Sequence, residues 1–130
     1  MQEVLNFLAE SKVFFLATAE GTQPRVRPLG FVMEYDGKLC FCTSNQKDMC
    51  KQIKANPQVE ICALVGRDIL RVAGKAVFIT SAASRQKALE VMPALSAKYS
   101  VDDKIFEIFA LEGAQVSTLG ADGIKKVRQL

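Results

Sequence analysis

Residues 24–57, PRVRPLGFVMEYDGKLCFCTSNQKDMCKQIKANP, decide the fold through the order of their apolar runs and turn residues. A strand is expected from about Arg25 to Glu34. Asp36-Gly37 is a strong hairpin signal, returning the chain as a second strand from Lys38 to Thr43. A polar elbow, Thr43-Ser44-Asn45, then leads into a helix from about Gln46 to Ala55 with Met49, Cys50 and Ile53 inward. Asn56-Pro57 ends that helix, because the residue before a proline leaves the helical region. Lys47 lies in the first turn of the expected helix.

The same segment collects groups suited to an anion. Arg25 and Arg27 are two apart and leave the same face of an extended strand. The elbow offers hydroxyl and amide groups at a helix N-terminus, where backbone N–H groups are unpaired and the dipole is positive. A phosphorylated ligand suits such a cradle. The residues also have plainer roles open to them. Arg25 and Arg27 suit the solvated face of an edge strand, and Thr43, Ser44 or Asn45 suit a helix cap. Gly30 within a strand marks either a bulge or a close backbone approach to a flat ring.

Upstream, Val4, Leu5 and Leu8 share one face of an amphipathic helix, and Val13–Thr18 reads as a strand turned by Glu20-Gly21. Downstream, strands are expected over Val59–Val65 and Leu70–Thr80, joined by Gly66-Arg67-Asp68. A helix from about Ser84 to Lys98 puts Ala88, Leu89, Met92 and Leu95 on one stripe, with Pro93 able to kink or split it. Two last strands, near Ile105–Leu111 and Ala114–Leu119, precede a glycine turn and a basic tail. The pattern predicts a mainly β (α+β) chain: an antiparallel barrel of six to seven strands with two or three peripheral helices, residues 1–130 forming one domain. Side chains fill a barrel this small, so a large ligand must sit outside it or between two subunits.

Composition narrows the function. The chain has 130 residues, 49% of them hydrophobic, a net charge of +3 and no histidine. Its cations are interspersed with acids and form no run that would track a nucleic-acid backbone. Without histidine, Ser-His and Cys-His hydrolysis are excluded, and the usual haem ligand is missing. A bound cofactor is left to carry the chemistry. No apolar run reaches the roughly 18 residues of a membrane span, and the start has no basic region followed by a long apolar core, so a cytoplasmic location is expected. Cys40, Cys42, Cys50 and Cys62 match no zinc spacing and read as buried thiols.

The order Pro24-x-x-Arg27, Asp36-Gly37, Phe41-x-Thr43, Lys47 and Asn56-Pro57 resembles the FMN-binding split barrels related to pyridoxamine 5'-phosphate oxidase, in particular their short single-domain members, over nearly the whole chain. The resemblance implies a split barrel that binds FMN and assembles as a homodimer with flavin at the interface. It implies that Arg27 and Lys47 hold the FMN phosphate, that Pro28, Leu29 and Gly30 lie along the isoalloxazine, and that Thr43 and Ser44 support the flavin. Asn45, the last residue of the elbow, is expected to hydrogen-bond the phosphate or ring edge with them. Two positions depart from the family pattern: Val32 stands where the vitamin oxidase has a lysine near the ring, and Gln46 replaces a second basic residue beside Lys47. The oxidase's C-terminal substrate segment, with its tryptophan and arginine, has no match in ADGIKKVRQL, since the chain contains no tryptophan. The expected function is an FMN-dependent oxidoreductase acting on a small molecule other than pyridoxamine 5'-phosphate. A flavin or cofactor sensor without turnover, and a flavin-free interaction barrel, are the alternatives.

Overall fold

A computed structural model describes residues 1–130. In chain order the elements are α1 (Gln2–Ser11), β1 (Phe14–Glu20), β2 (Gln23–Leu29), β3 (Met33–Tyr35), β4 (Lys38–Ser44), α2 (Asp48–Ala55), β5 (Gln58–Val65), β6 (Asp68–Phe78), α3 (Ala82–Val91), a 3₁₀ turn (Pro93–Ala97), β7 (Phe106–Leu119) and β8 (Lys125–Gln129). All strand pairs are antiparallel, in the order β2-β1-β5-β6-β7-β4-β3, with β8 on the outside of β7. The two ends of that path, β2 and β3, follow each other in the chain without pairing, and the gap between them is the split of the barrel.

Eight strands stand where six to seven were expected: one expected strand is split, two are merged and one is added. The expected strand Arg25–Glu34 breaks at Gly30–Val32, giving β2 and β3. The two expected last strands are one, because Gly113 at φ 60° carries the chain through a bulge opposite Ala73–Lys75. The basic tail, with every β8 residue exposed, pairs with β7 from Gln115 to Leu119. The expected helix Ser84–Lys98 is split by Pro93 into α3 and the 3₁₀ turn. The Asp36-Gly37 hairpin is present, both residues having the positive φ (53° and 74°) that a two-residue turn of this kind requires.

The barrel interior is filled by apolar and aromatic side chains. Phe14 meets Phe41 edge-on at 5.8 Å, Phe41 meets Phe109 at 5.7 Å, and Val4 and Leu8 of α1 are buried in the same core. Burying each such ring contributes about 1.5–3 kcal/mol. A second apolar cluster, including Phe31, Met33, Ala88 and Phe106, seats α3 against β3 and β7. No helix is long and apolar enough to cross a membrane. With the interior filled, a large ligand has to sit on the outer surface.

Candidate functional site

At the split the chain forms two clefts that meet at one residue. The first, of about 450 Å³, is lined by Glu20, Arg25, Val26, Arg27, Lys47, Asp48, Met49 and Gln52. Three cations face two carboxylates there. The second, of about 250 Å³, is lined by Pro28, Leu29, Gly30, Phe31, Cys42, Thr43 and Lys47, with Met92, Leu95, Lys98 and Tyr99 as the opposite wall. Lys47 belongs to both.

β2 positions the arginines. Arg25 and Arg27 lie opposite Thr18 and Leu16 of β1, so both side chains leave the same face, as alternation dictates. Arg25 donates to Glu20 at 3.1 Å in an exposed ion pair. Half-buried Arg27 is held more firmly: its Nη1 donates to Thr18 Oγ1 at 2.8 Å and to the Leu16 carbonyl at 3.4 Å, and its Nη2 donates to Gln52 Oε1. Burial pushes the Arg27 guanidinium below its ordinary value, with Arg25 adding to the effect and Asp48 opposing it. The Glu20 carboxyl is held below the usual carboxylate range, first by its hydrogen bond from Arg25 and then by that from Gln52.

The elbow between β4 and α2 places Lys47. Ser44 turns the chain, its Oγ accepting from the Gln46 N–H at 3.1 Å and its carbonyl from the Lys47 N–H at 3.0 Å. Lys47 is the residue before the helix and has extended backbone, so it stands at the N-cap and not, as expected, in the first turn. No side chain caps α2. The capping role open to Thr43, Ser44 or Asn45 is therefore not the one they fill. The exposed Lys47 ammonium makes no hydrogen bond or ion pair with the chain.

Of the eight expected site residues, Arg27, Pro28, Leu29, Gly30, Thr43 and Lys47 border the paired clefts. Ser44 and Asn45 border neither: Ser44 is buried in the turn, and Asn45 Nδ2 donates to the Lys104 carbonyl at 2.7 Å and to Glu107. Gly30 has a single close neighbour for an added Cβ, the Lys12 carbonyl at an ordinary 3.6 Å, so packing within the chain does not require glycine there. Sequence reasoning missed Glu20, Thr18 and Gln52. Thr18 alternates with Leu16 on β1, and Gln52 falls beside Ile53 on the inward side of α2. Polar residues at such apolar positions were the available signal.

The wall of the apolar groove comes from the segment after α3. Tyr99 stacks on Phe106 at 4.4 Å, which fixes the wall to β7, and burial raises the Tyr99 phenol. On the opposite side, burial pushes the Cys42 thiol from 9.0 up to about 12 against the pull of Lys47, and pushes the Cys40 thiol to about 11. Cys42 is thus a neutral thiol in the groove near pH 7, unable to act as a thiolate nucleophile. Cys42 and Cys62 are only half-buried, a correction to the expectation of four buried thiols.

The Cys40 and Cys42 thiols contribute to a loss of stability at alkaline pH. The folded state keeps their protons to higher pH than the unfolded chain does, so the stability they contribute is complete below the unfolded value near 9.0 and is lost as pH rises through about 11 and about 12. Melting temperature should fall more steeply between about pH 8.5 and about pH 10.5 in the wild type than in Cys42→Ala. Parallel declines would show that Cys42 ionises normally in the folded state.

Residues 1–120 match the family model for pyridoxamine 5'-phosphate oxidase. The chain belongs to the pyridoxamine 5'-phosphate oxidase family. No curated protein sequence matches it. A crystal structure of a NimC/NimA family protein from Clostridium acetobutylicum superposes with a TM-score of 0.94 at 37% identity, over 100% of this chain and 93% of that one. A pyridoxamine 5'-phosphate oxidase-related, FMN binding protein from Nostoc punctiforme shares the fold at a TM-score of 0.64 and 17% identity, over 99% of this chain and 95% of that one. A heme binding protein from Mycobacterium smegmatis does so at 0.76 and 19%, over 95% of this chain and 55% of that one. Membership of the oxidase family and the antiparallel split barrel are thereby shown.

Proposed function

We propose that this member of the pyridoxamine 5'-phosphate oxidase family binds FMN non-covalently and acts as a flavin-dependent oxidoreductase on a small molecule. The observation that carries this is the meeting of a cation-lined cleft and an apolar groove at Lys47: a dianion and a flat ring, joined by a short chain, match that sequence of surfaces. Arg27 and Lys47 neutralise the phosphate, with the uncapped start of α2 beside them. Pro28, Leu29 and Gly30 present backbone and apolar surface to the isoalloxazine, and Thr43 lies at its edge. Ser44 and Asn45 enter through the turn they build, which brings Lys47 to the junction. Related folds include a heme binder, but a chain without histidine lacks the usual axial ligand, which favours flavin.

Bound FMN supplies a hydride acceptor and donor at N5. The side chains around it bind and orient, and none near the groove is a base poised at neutral pH: Cys42 and Tyr99 hold their protons, and histidine is missing.

Adding FMN to the purified protein should shift the flavin absorption bands and quench flavin fluorescence, and NADH or NADPH should then bleach the bound flavin. An unchanged spectrum refutes the cofactor; binding without bleaching by either donor favours a sensor. The bleaching rate should show no enzyme-derived step between about pH 6 and about pH 7.5, where a histidine would titrate, and pyridoxamine 5'-phosphate should not be oxidised.

A further inference from the structure

Behind the cation-lined cleft lies a closed polar triangle that the family resemblance does not mention. Thr18 Oγ1 donates to Gln52 Oε1 at 2.6 Å, and Arg27 donates to both Thr18 and Gln52. Thr18 and Gln52 are 5% and 6% exposed, so these bonds are shielded from water and expensive to leave unmade. The orientation of the Gln52 amide follows from chemistry: guanidinium has no acceptor, so only the amide oxygen can face Arg27. Its nitrogen is left to donate outward, to Glu20 Oε2 at 3.3 Å. Glu20 in turn takes the Arg25 guanidinium on its other oxygen.

Each part of this arrangement has a consequence for an anion. With both Nη groups committed inward, Arg27 keeps its Nε–H and one Nη2–H free, in a fixed place. A long side chain that is already ordered loses little rotamer freedom when a ligand arrives. Glu20 meanwhile supplies a negative charge in the same cleft as Arg25, Arg27 and Lys47. A carboxylate there satisfies the cations while the cleft is empty and repels any anion that enters.

We propose that Gln52 is a positioning residue that presets Arg27 for a phosphate monoester, and that Glu20 is the resident counter-ion which that phosphate displaces from Arg25. The proposal rests on the FMN reading and adds to it the two residues that set how strongly the phosphate is preferred. Gln52 raises that preference and Glu20 lowers it, although the two are hydrogen-bonded to each other.

The test is the ratio of FMN to riboflavin affinity, measured by flavin fluorescence in the wild type, Gln52→Met and Glu20→Gln. Methionine keeps the length and loses both bonds; glutamine keeps the shape and loses the charge. The ratio should fall about tenfold in Gln52→Met and rise about threefold or more in Glu20→Gln. A merely structural role would lower both affinities together and leave the ratio unmoved. Glu20 is exposed, so its variant keeps the test open if Gln52→Met folds poorly. In parallel, inorganic phosphate titrated into the flavin-free protein should shift the Arg27 Nε–H signal in NMR, with weaker binding in Gln52→Met and tighter binding in Glu20→Gln. A wild type that discriminates between the flavins, with neither variant moving the ratio or both moving it the same way, overturns the present proposal and leaves the FMN reading standing. Equal flavin affinities in the wild type overturn the FMN reading, and an Arg27 signal indifferent to phosphate overturns this proposal with it.

Discussion

Lys47→Ala is expected to weaken FMN binding by about ten- to a hundredfold while barely changing riboflavin binding, because a charge-assisted hydrogen bond contributes about 1.5–3 kcal/mol. Lys47 is exposed, stands before the helix and has no partner within the chain, so its loss should leave the melting temperature unchanged. Arg27→Ala should weaken FMN at least as much, but it differs in its effect on stability. Removing the guanidinium leaves Thr18 and Gln52 without a donor that both now use, at a cost of about 1–3 kcal/mol. A lower melting temperature for Arg27→Ala than for Lys47→Ala, with similar losses of FMN affinity, is the expected pair of results. Isothermal titration with both flavins checks it. Equal affinities of the wild type for FMN and riboflavin would remove the phosphate from the cleft altogether.

The difference between these two cations marks how far the sequence could be read. Spacing alone placed Arg25 and Arg27 on one face of a strand, because alternation in a strand is a local property. Asp36-Gly37 was legible for a similar reason: a two-residue turn demands positive φ at both positions, and few residue pairs tolerate it. Pro93 announced the break after α3. What escaped depended on partners distant in the chain. Nothing local separates Arg25, which is exposed and paired with its neighbour Glu20, from Arg27, whose restraint comes from Gln52 on a helix 25 residues away. β8 carries three cations and no alternating apolar face, and it is a strand only because β7 extends past the barrel with an unpaired edge. Gly113 looked like the end of a strand, since its positive φ is equally the mark of a turn and of a bulge. The expected helix start at about Gln46 put Lys47 inside the first turn; its place before the helix depends on the turn that Ser44 closes through two hydrogen bonds.

The groove also bears on assembly, which we propose to be a homodimer with flavin at the interface. Phe14 and Leu16 point into the barrel, so Phe15 between them points out, 48% exposed, opposite Pro28 on β2 and Cys62 on β5. Val26, 68% exposed, continues this face along β2, and Leu64, 59% exposed, continues it along β5. Pro28 belongs both to this face and to the apolar groove, so a second copy packed on the face would border the proposed flavin site. Phe15→Asp is the sharpest test. A stable interface buries about 800 Å² per partner, and an aspartate in its centre would bury a charge without a partner, a penalty of several kcal/mol, on the order of 3–5, counted once per subunit. The wild type should scatter light as twice the chain mass, Phe15→Asp as a monomer, and the variant should lose most of its FMN affinity although Arg27 and Lys47 are intact. Excess FMN should in turn drive the variant part of the way back to the dimer, since a ligand that binds only the assembled form favours assembly. A wild-type monomer that binds FMN at full affinity would place the whole site within one chain and leave the exposed Phe15 and Val26 without this role.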